Sequence, residues 1–185
     1  MSKLGLGGLV GIAALWAGAA VLDAQAPPAI HGVTGTIATA HTIKDEHKAV
    51  NKVVVATEDG VEHVYDATKG VLIHGGKSLS DLKPGTTVVV HYTTDTGGDV
   101  AREIDRVGTD GLSITEGMVT KIDRGKREIS IRYDNGKTET LTLTDRAAED
   151  AGQDFRNAPS GTTRIVVYYS DEAGRKVAHY FRQKS

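Results

Sequence analysis

Beyond residue 26, short β-branched and alternating apolar runs recur in two copies of one pattern. In the first copy, strands are predicted over Val33 to Ala40, over Val53-Val54-Val55 up to a turn at Glu58-Asp59-Gly60, and over Val61 to Asp66. Two more follow at Val88–Tyr92 and Val100–Val107. The second copy begins near Gly117, the counterpart of Gly35. It continues through Ile129-Ser130-Ile131 to Asp134-Asn135-Gly136, then Thr138 to Thr144, Ile165–Tyr169 and Lys176–Arg182. Strict alternation marks a half-buried strand, and Asp-Gly or Asn-Gly between two such runs marks a tight hairpin. Pro84-Gly85-Thr86-Thr87 leads into Val88, as Pro159-Ser160-Gly161-Thr162-Thr163 leads into Ile165. Gly97 follows Tyr92 at the spacing by which Gly174 follows Tyr169, and Ala101 and Ile104 answer to Ala178 and Phe181. Turn residues and core positions that agree together imply a tandem duplication.

Between the third and fourth strands of the second copy, Thr144-Asp145-Arg146-Ala147-Ala148-Glu149-Asp150 reads as a helix. Thr144 or Asp145 is placed to cap it, and Gly152 is expected to limit it. The first copy has only Ser78-Leu79-Ser80-Asp81-Leu82, enough for one turn. Five strands with a helix between the third and fourth is the order of an OB-fold, with an SH3-like barrel and a plain meander as the competing topologies. The fold class expected is therefore all-β, two tandem five-stranded OB-like barrels with one short helix per unit. The positions Gly35, Val53, Val55, Gly60, Leu79, Asp81, Leu82, Lys83, Pro84, Gly85, Val88, Val90, Gly97, Ala101 and Ile104 carry a motif. That motif resembles exported bacterial tandem OB-like domains of uncharacterised function, and the resemblance implies a fold and a compartment rather than an activity. Small periplasmic OB-like proteins also include copper chaperones that use a histidine, paired methionines and a tryptophan. Here Met118 is the single methionine past the leader, and Trp16 lies within it.

Residues 1–26 read as a signal peptide: Lys3, an uncharged run from Leu4 to Leu22, and Ala24-Gln25-Ala26 as a small-x-small cleavage site. The run is near the length that spans a bilayer, so a membrane contact through an uncleaved leader is the alternative. The domains expected are 27–111, with a linker over 108–114, and 115–185. An exported, periplasmic or extracellular protein is implied, one that uses no disulfide because it has no cysteine. Units of this size have marginal cores alone, so the two are expected to pack on each other or on a second chain. The net charge of −2 offers no basic face and makes nucleic acid an unlikely partner.

Six of the seven histidines fall in the first copy. His41 and His47, in a β1–β2 connection longer than its counterpart and flanking Asp45 and Glu46, form a candidate loop site for Zn²⁺, Ni²⁺ or Cu²⁺. His63 and His91, on strands, complete the candidate metal set, although His63 also reads as semi-core and His91 as an amphipathic surface position. Tyr168 and Tyr180 with Arg132 and Arg164 make an aromatic-plus-basic ligand face suited to an oligosaccharide or single strand. Gly70 to Ser78 mimics a phosphate loop but has one residue too many before Gly-Lys, and reads as a surface loop. Ser80-Asp81-Leu82-Lys83 matches Ser-x-x-Lys without its companion motifs. The reading is a non-catalytic, cofactor-free binding module of the cell envelope, partnered by an envelope protein or glycan. Divalent-metal binding by the histidines, and glycan or nucleic-acid binding on the aromatic face, are the alternatives.

Overall fold

A computed structural model describes residues 28–45, 48–67, 70–155 and 161–184, so the leader and His47 lie outside the described residues. The first unit comprises β1 (Ile30–Asp45), β2 (Lys48–Thr57), β3 (Glu62–Asp66), a short β4 (Leu72–His74), β5 (Thr87–Asp95) and β6 (Gly98–Arg106). β1 pairs antiparallel with β2 and β5, β2 with β3, and β5 with β6. A parallel contact between β3 and β6 closes the barrel. The second unit repeats this with β7 (Ser113–Asp123), β8 (Glu128–Arg132), β9 (Thr138–Leu143), a helix α1 (Asp145–Asp154), β10 (Arg164–Glu172) and β11 (Arg175–Gln183). In both units the third barrel strand pairs with the fifth rather than the fourth. That is the OB order, and it excludes a meander, whose neighbours are consecutive.

The duplication extends to register. Val90 faces Ile104 as Val167 faces Phe181, and each hairpin carries a bulge at the same place, His91/Tyr92 and Tyr168/Tyr169. A second matched bulge falls at Ile37/Thr39 and Val119/Lys121. Because the side-chain period of a strand is two, each bulge resets which residues face inward. Ile37, Val53, Val55, Tyr65, Val88, Val90, Ala101 and Ile104 thereby fill the first barrel. Val119, Ile129, Ile131, Leu141, Ile165, Val167, Ala178 and Phe181 fill the second. Gly35 lies where a Cβ would stand 2.5 Å from the Ala56 carbonyl oxygen, so the strands can approach there only around glycine.

Thr144 caps α1, accepting the Ala147 N–H (3.1 Å), and Ala147 is buried against the barrel. The helix runs past Gly152 to Asp154, because packing outweighs a single glycine's penalty of about 1 kcal/mol. The first unit has one 3₁₀ turn, Leu79–Asp81, at the equivalent point. Two further expectations are corrected. The long β1–β2 connection is an extension of the strands themselves, with Thr42 facing Asn51 and Asp45 facing Lys48. The stretch read as a surface loop contains β4, which adds to β6 in parallel as Leu72, Ile73 and His74 pair with Glu103, Ile104 and Asp105.

The barrels pack on each other through the outer faces of β5, β10 and β11. Val89, Leu112, Val166, Tyr168 and Tyr180 form a third apolar cluster to which both units contribute. Burying each such side chain contributes about 1.5–3 kcal/mol, which joins two cores that are marginal apart. Gly32 on β1 makes the approach possible, since a Cβ there would lie 2.5 Å from Asp150 Oδ2 and 2.6 Å from the Tyr180 ring.

Candidate metal centre between the barrels

β6 turns Ala101 and Ile104 into its own barrel and presents Glu103 and Asp105 on the outside. On an isolated barrel both carboxylates would be solvated. Here that face meets the second unit, and Glu103 is 7% and Asp105 0% exposed. The parallel pairing of β4 places His74 beside Asp105, and β11 brings His179 from the other barrel. One donor atom from each of His74, Glu103, Asp105 and His179 lies within 4.8 Å of all the others. His74 Nδ1 is 2.6 Å from Asp105 Oδ1 and 3.4 Å from Glu103 Oε1. His179 Nδ1 is 3.5 Å from Asp105 Oδ2 and 3.9 Å from Glu103 Oε1, too far for a formed hydrogen bond. Asp105 Oδ2 and His179 Nδ1, 3.5 Å apart, are accordingly buried without a hydrogen-bond partner. Arg146, on the first turn of α1, pairs with the other oxygen of Glu103, Oε2. Glu103 Oε1 is thus left directed at the two histidines.

The electrostatics follow from burial and from these neighbours. Burial opposes protonation of His179, but Asp105 and Glu103 outweigh it and push its pKa up to about 9. Burial alone would raise the Glu103 carboxyl; His179, Arg146, His91 and His74 instead hold it below its ordinary value. Glu103 is thereby held as a carboxylate beside a protonated His179, and a divalent ion would replace the His179 proton as its partner. Two imidazole nitrogens and two carboxylate oxygens are a donor set that Zn²⁺ accepts in a tetrahedral arrangement.

Ser170, His179 and Asp105 also stand in the order of a hydrolase triad, with Ser170 Oγ 3.0 Å from His179 Nε2. The Ser170 hydroxyl, however, donates its proton to Glu172 Oε1 (3.0 Å). A serine whose proton goes to a carboxylate is not activated by the histidine, which must accept that proton to act as base.

The residues singled out in the sequence sit elsewhere. His41 is exposed on the extended hairpin opposite Lys52, and His47 lies outside the described residues. His63 stacks on Tyr65, with ring centroids 6.4 Å apart. His91 faces Glu103 across the β5–β6 ladder and comes to the border of the group without being one of the four. It is fully buried, both ring nitrogens lack a partner, and burial lowers its pKa. His91 and Tyr168 do point out of their own barrels, but into the junction rather than into solvent. Tyr168 and Tyr180 lie there with their rings tilted against each other, centroids 5.8 Å apart, and both are buried. Arg164, held by Asp134 (2.5 Å), and the exposed Arg132 flank Met118 on its two neighbouring strands, so the arginines stay at the surface while both tyrosine rings are buried in the junction. His74 stands in the stretch read as a loop, and His179 is the second copy's lone histidine. The one local signal for the acids was Glu103-x-Asp105 on a predicted strand, which puts two carboxylates on one face.

No protein-family model and no curated protein matches the chain. Among solved structures, it is similar to a deletion variant of the single-stranded DNA binding protein from Thermus aquaticus, at 13% identity and a TM-score of 0.26, over 85% of this chain and 94% of that one.

Proposed function

We propose that this protein is a non-catalytic, exported two-barrel binding protein of the cell envelope that holds one divalent transition-metal ion, best matched by Zn²⁺, between its units. The observation that carries the reading is the group of four donor residues contributed by both barrels, two of whose atoms, Asp105 Oδ2 and His179 Nδ1, are buried and unpartnered. Four protein donors complete a tetrahedral ion and leave no position for a substrate, which suits holding an ion rather than catalysis at it. Nitrogen donors disfavour Mg²⁺ and Ca²⁺, which prefer oxygen, and the lack of sulfur donors in the group disfavours Cu⁺. The export half of the reading is supported by the leader pattern of residues 1–26, and its partner in the envelope is a protein or a glycan.

The test is calorimetric titration of chelator-stripped protein with Zn²⁺, and with Mg²⁺ as control. Stoichiometric Zn²⁺ binding that His74→Ala/His179→Ala abolishes is expected. Zn²⁺ binding that survives this double variant would place the ion elsewhere and sink the assignment.

A further inference from the structure

Resting on the metal reading, we propose that Ser170 is the positioning residue that fixes the tautomer of His179 and so presents Nδ1 to the ion. A neutral imidazole has one N–H and one lone pair, and which nitrogen carries which is set by the hydrogen bond the other makes. Ser170 Oγ has a single proton, and that proton is given to Glu172 Oε1 at 3.0 Å. Toward His179 Nε2, also at 3.0 Å, the hydroxyl can therefore only accept. His179 then carries its hydrogen on Nε2, and the lone pair falls on Nδ1, the atom directed at Asp105 and Glu103. Glu172 acts at one remove, by orienting the hydroxyl. Ser170 is half-buried on β10 and touches none of the other three donors in the contacts it makes.

The other copy of the barrel supports this assignment independently. In the matched register, Ser170 corresponds to Thr93 and His179 to Arg102. There the Arg102 Nε–H donates to Thr93 Oγ1 at 3.0 Å. A guanidinium has no acceptor lone pair, so in that copy the hydroxyl can only be receiving. One cross-strand arrangement, a hydroxyl on the fourth barrel strand accepting an N–H from the fifth, is thus built twice. In the second copy alone, the donor is a residue whose far nitrogen can bind a metal.

The test uses full-length protein, Co²⁺ as a spectroscopic probe of the ion, and the variants Ser170→Ala and Ser170→Thr. Loss of such an outer hydrogen-bond partner costs about 10–100-fold in metal affinity. Ser170→Ala is expected to weaken Co²⁺ binding by about that factor and to change its visible d–d absorption. Ser170→Thr, which keeps the hydroxyl as Thr93 does in the other copy, should stay within a few-fold of wild type. In the Zn²⁺-loaded wild type, long-range ¹H–¹⁵N spectra of the His179 ring should show the proton on Nε2. Wild-type binding with Ser170→Ala equal in affinity and spectrum overturns the role of Ser170 and leaves the metal site standing. A proton found on Nδ1 overturns it as well. A wild type that binds neither Co²⁺ nor Zn²⁺ overturns both readings together.

Discussion

Replacing His179 with alanine acts on both barrels at once, because this side chain belongs to the second barrel and its charge partners belong to the first. Without metal, His179 Nδ1 stands 3.5 Å from Asp105 Oδ2, and Asp105 is fully buried. Deleting one member of a buried ion pair costs about 3–5 kcal/mol, because the other charge is left uncompensated. His74 still contacts Asp105, so the lower end, about 3 kcal/mol, is expected. For a chain of this length that is a fall in Tm of about 6–12 °C. With Zn²⁺ at a hundred times its Kd, wild type should gain about 2.7 kcal/mol, or roughly 5–11 °C. The alanine variant should lose most of that gain at the same Zn²⁺ concentration. Differential scanning calorimetry with and without Zn²⁺ reads both effects. Lys176→Ala is the control: it sits on the same strand in a half-exposed pair with Glu139 (2.8 Å), a kind of contact worth about 0–1 kcal/mol. A His179→Ala protein that melts at the wild-type temperature and keeps the full Zn²⁺ shift would refute the reasoning.

Three further outcomes are expected. Without metal, the folded-state pKa of His179 is about 9, above the unfolded value near 6.5, so its contribution is fully present below about pH 6.5 and is lost as pH rises toward 9; urea unfolding at intervals across that range should show a decline that His179→Ala lacks, and parallel curves would contradict it. Gly32→Ala places a Cβ against Asp150 and the Tyr180 ring; it should separate the melting of the two barrels, seen as a van't Hoff enthalpy below the calorimetric one, while Gly97→Ala, with open space around it, should leave a single transition. Thr144→Ala removes the α1 cap at a cost of about 1 kcal/mol and loosens the turn that carries Arg146, so urea unfolding should register the loss and Zn²⁺ affinity should change less than in His179→Ala.

Much of the barrel architecture was legible because it rests on short-range physics. Alternation at Ile129-Ser130-Ile131, the Asp134-Asn135-Gly136 turn and the Thr144 cap each declare themselves within a few residues, and duplication let each copy check the other. Where local reasoning failed, a tertiary contact had overruled it. Leu72–His74 lacks a strand pattern of its own and becomes β4 by adding to β6. The extra length between Gly35 and Gly60 looked like a loop, yet continues as a ladder because antiparallel pairing, once begun, satisfies successive backbone groups.

The amino-acid sequence by itself determined two like barrels, their cores and their turns, since each depends on residues near in the chain or on a repeat that can be read twice. It also showed which residues point out of each barrel, His91 and Tyr168 among them. Only the tertiary structure decided what those outward faces meet. Glu103 and Asp105 are ordinary solvent-facing acids on one barrel, and His179 an ordinary histidine on the other, until the docking of the two removes water from between them. That desolvation turns separated polar residues into a charged, partly unpartnered group, and no spacing along the chain encodes it.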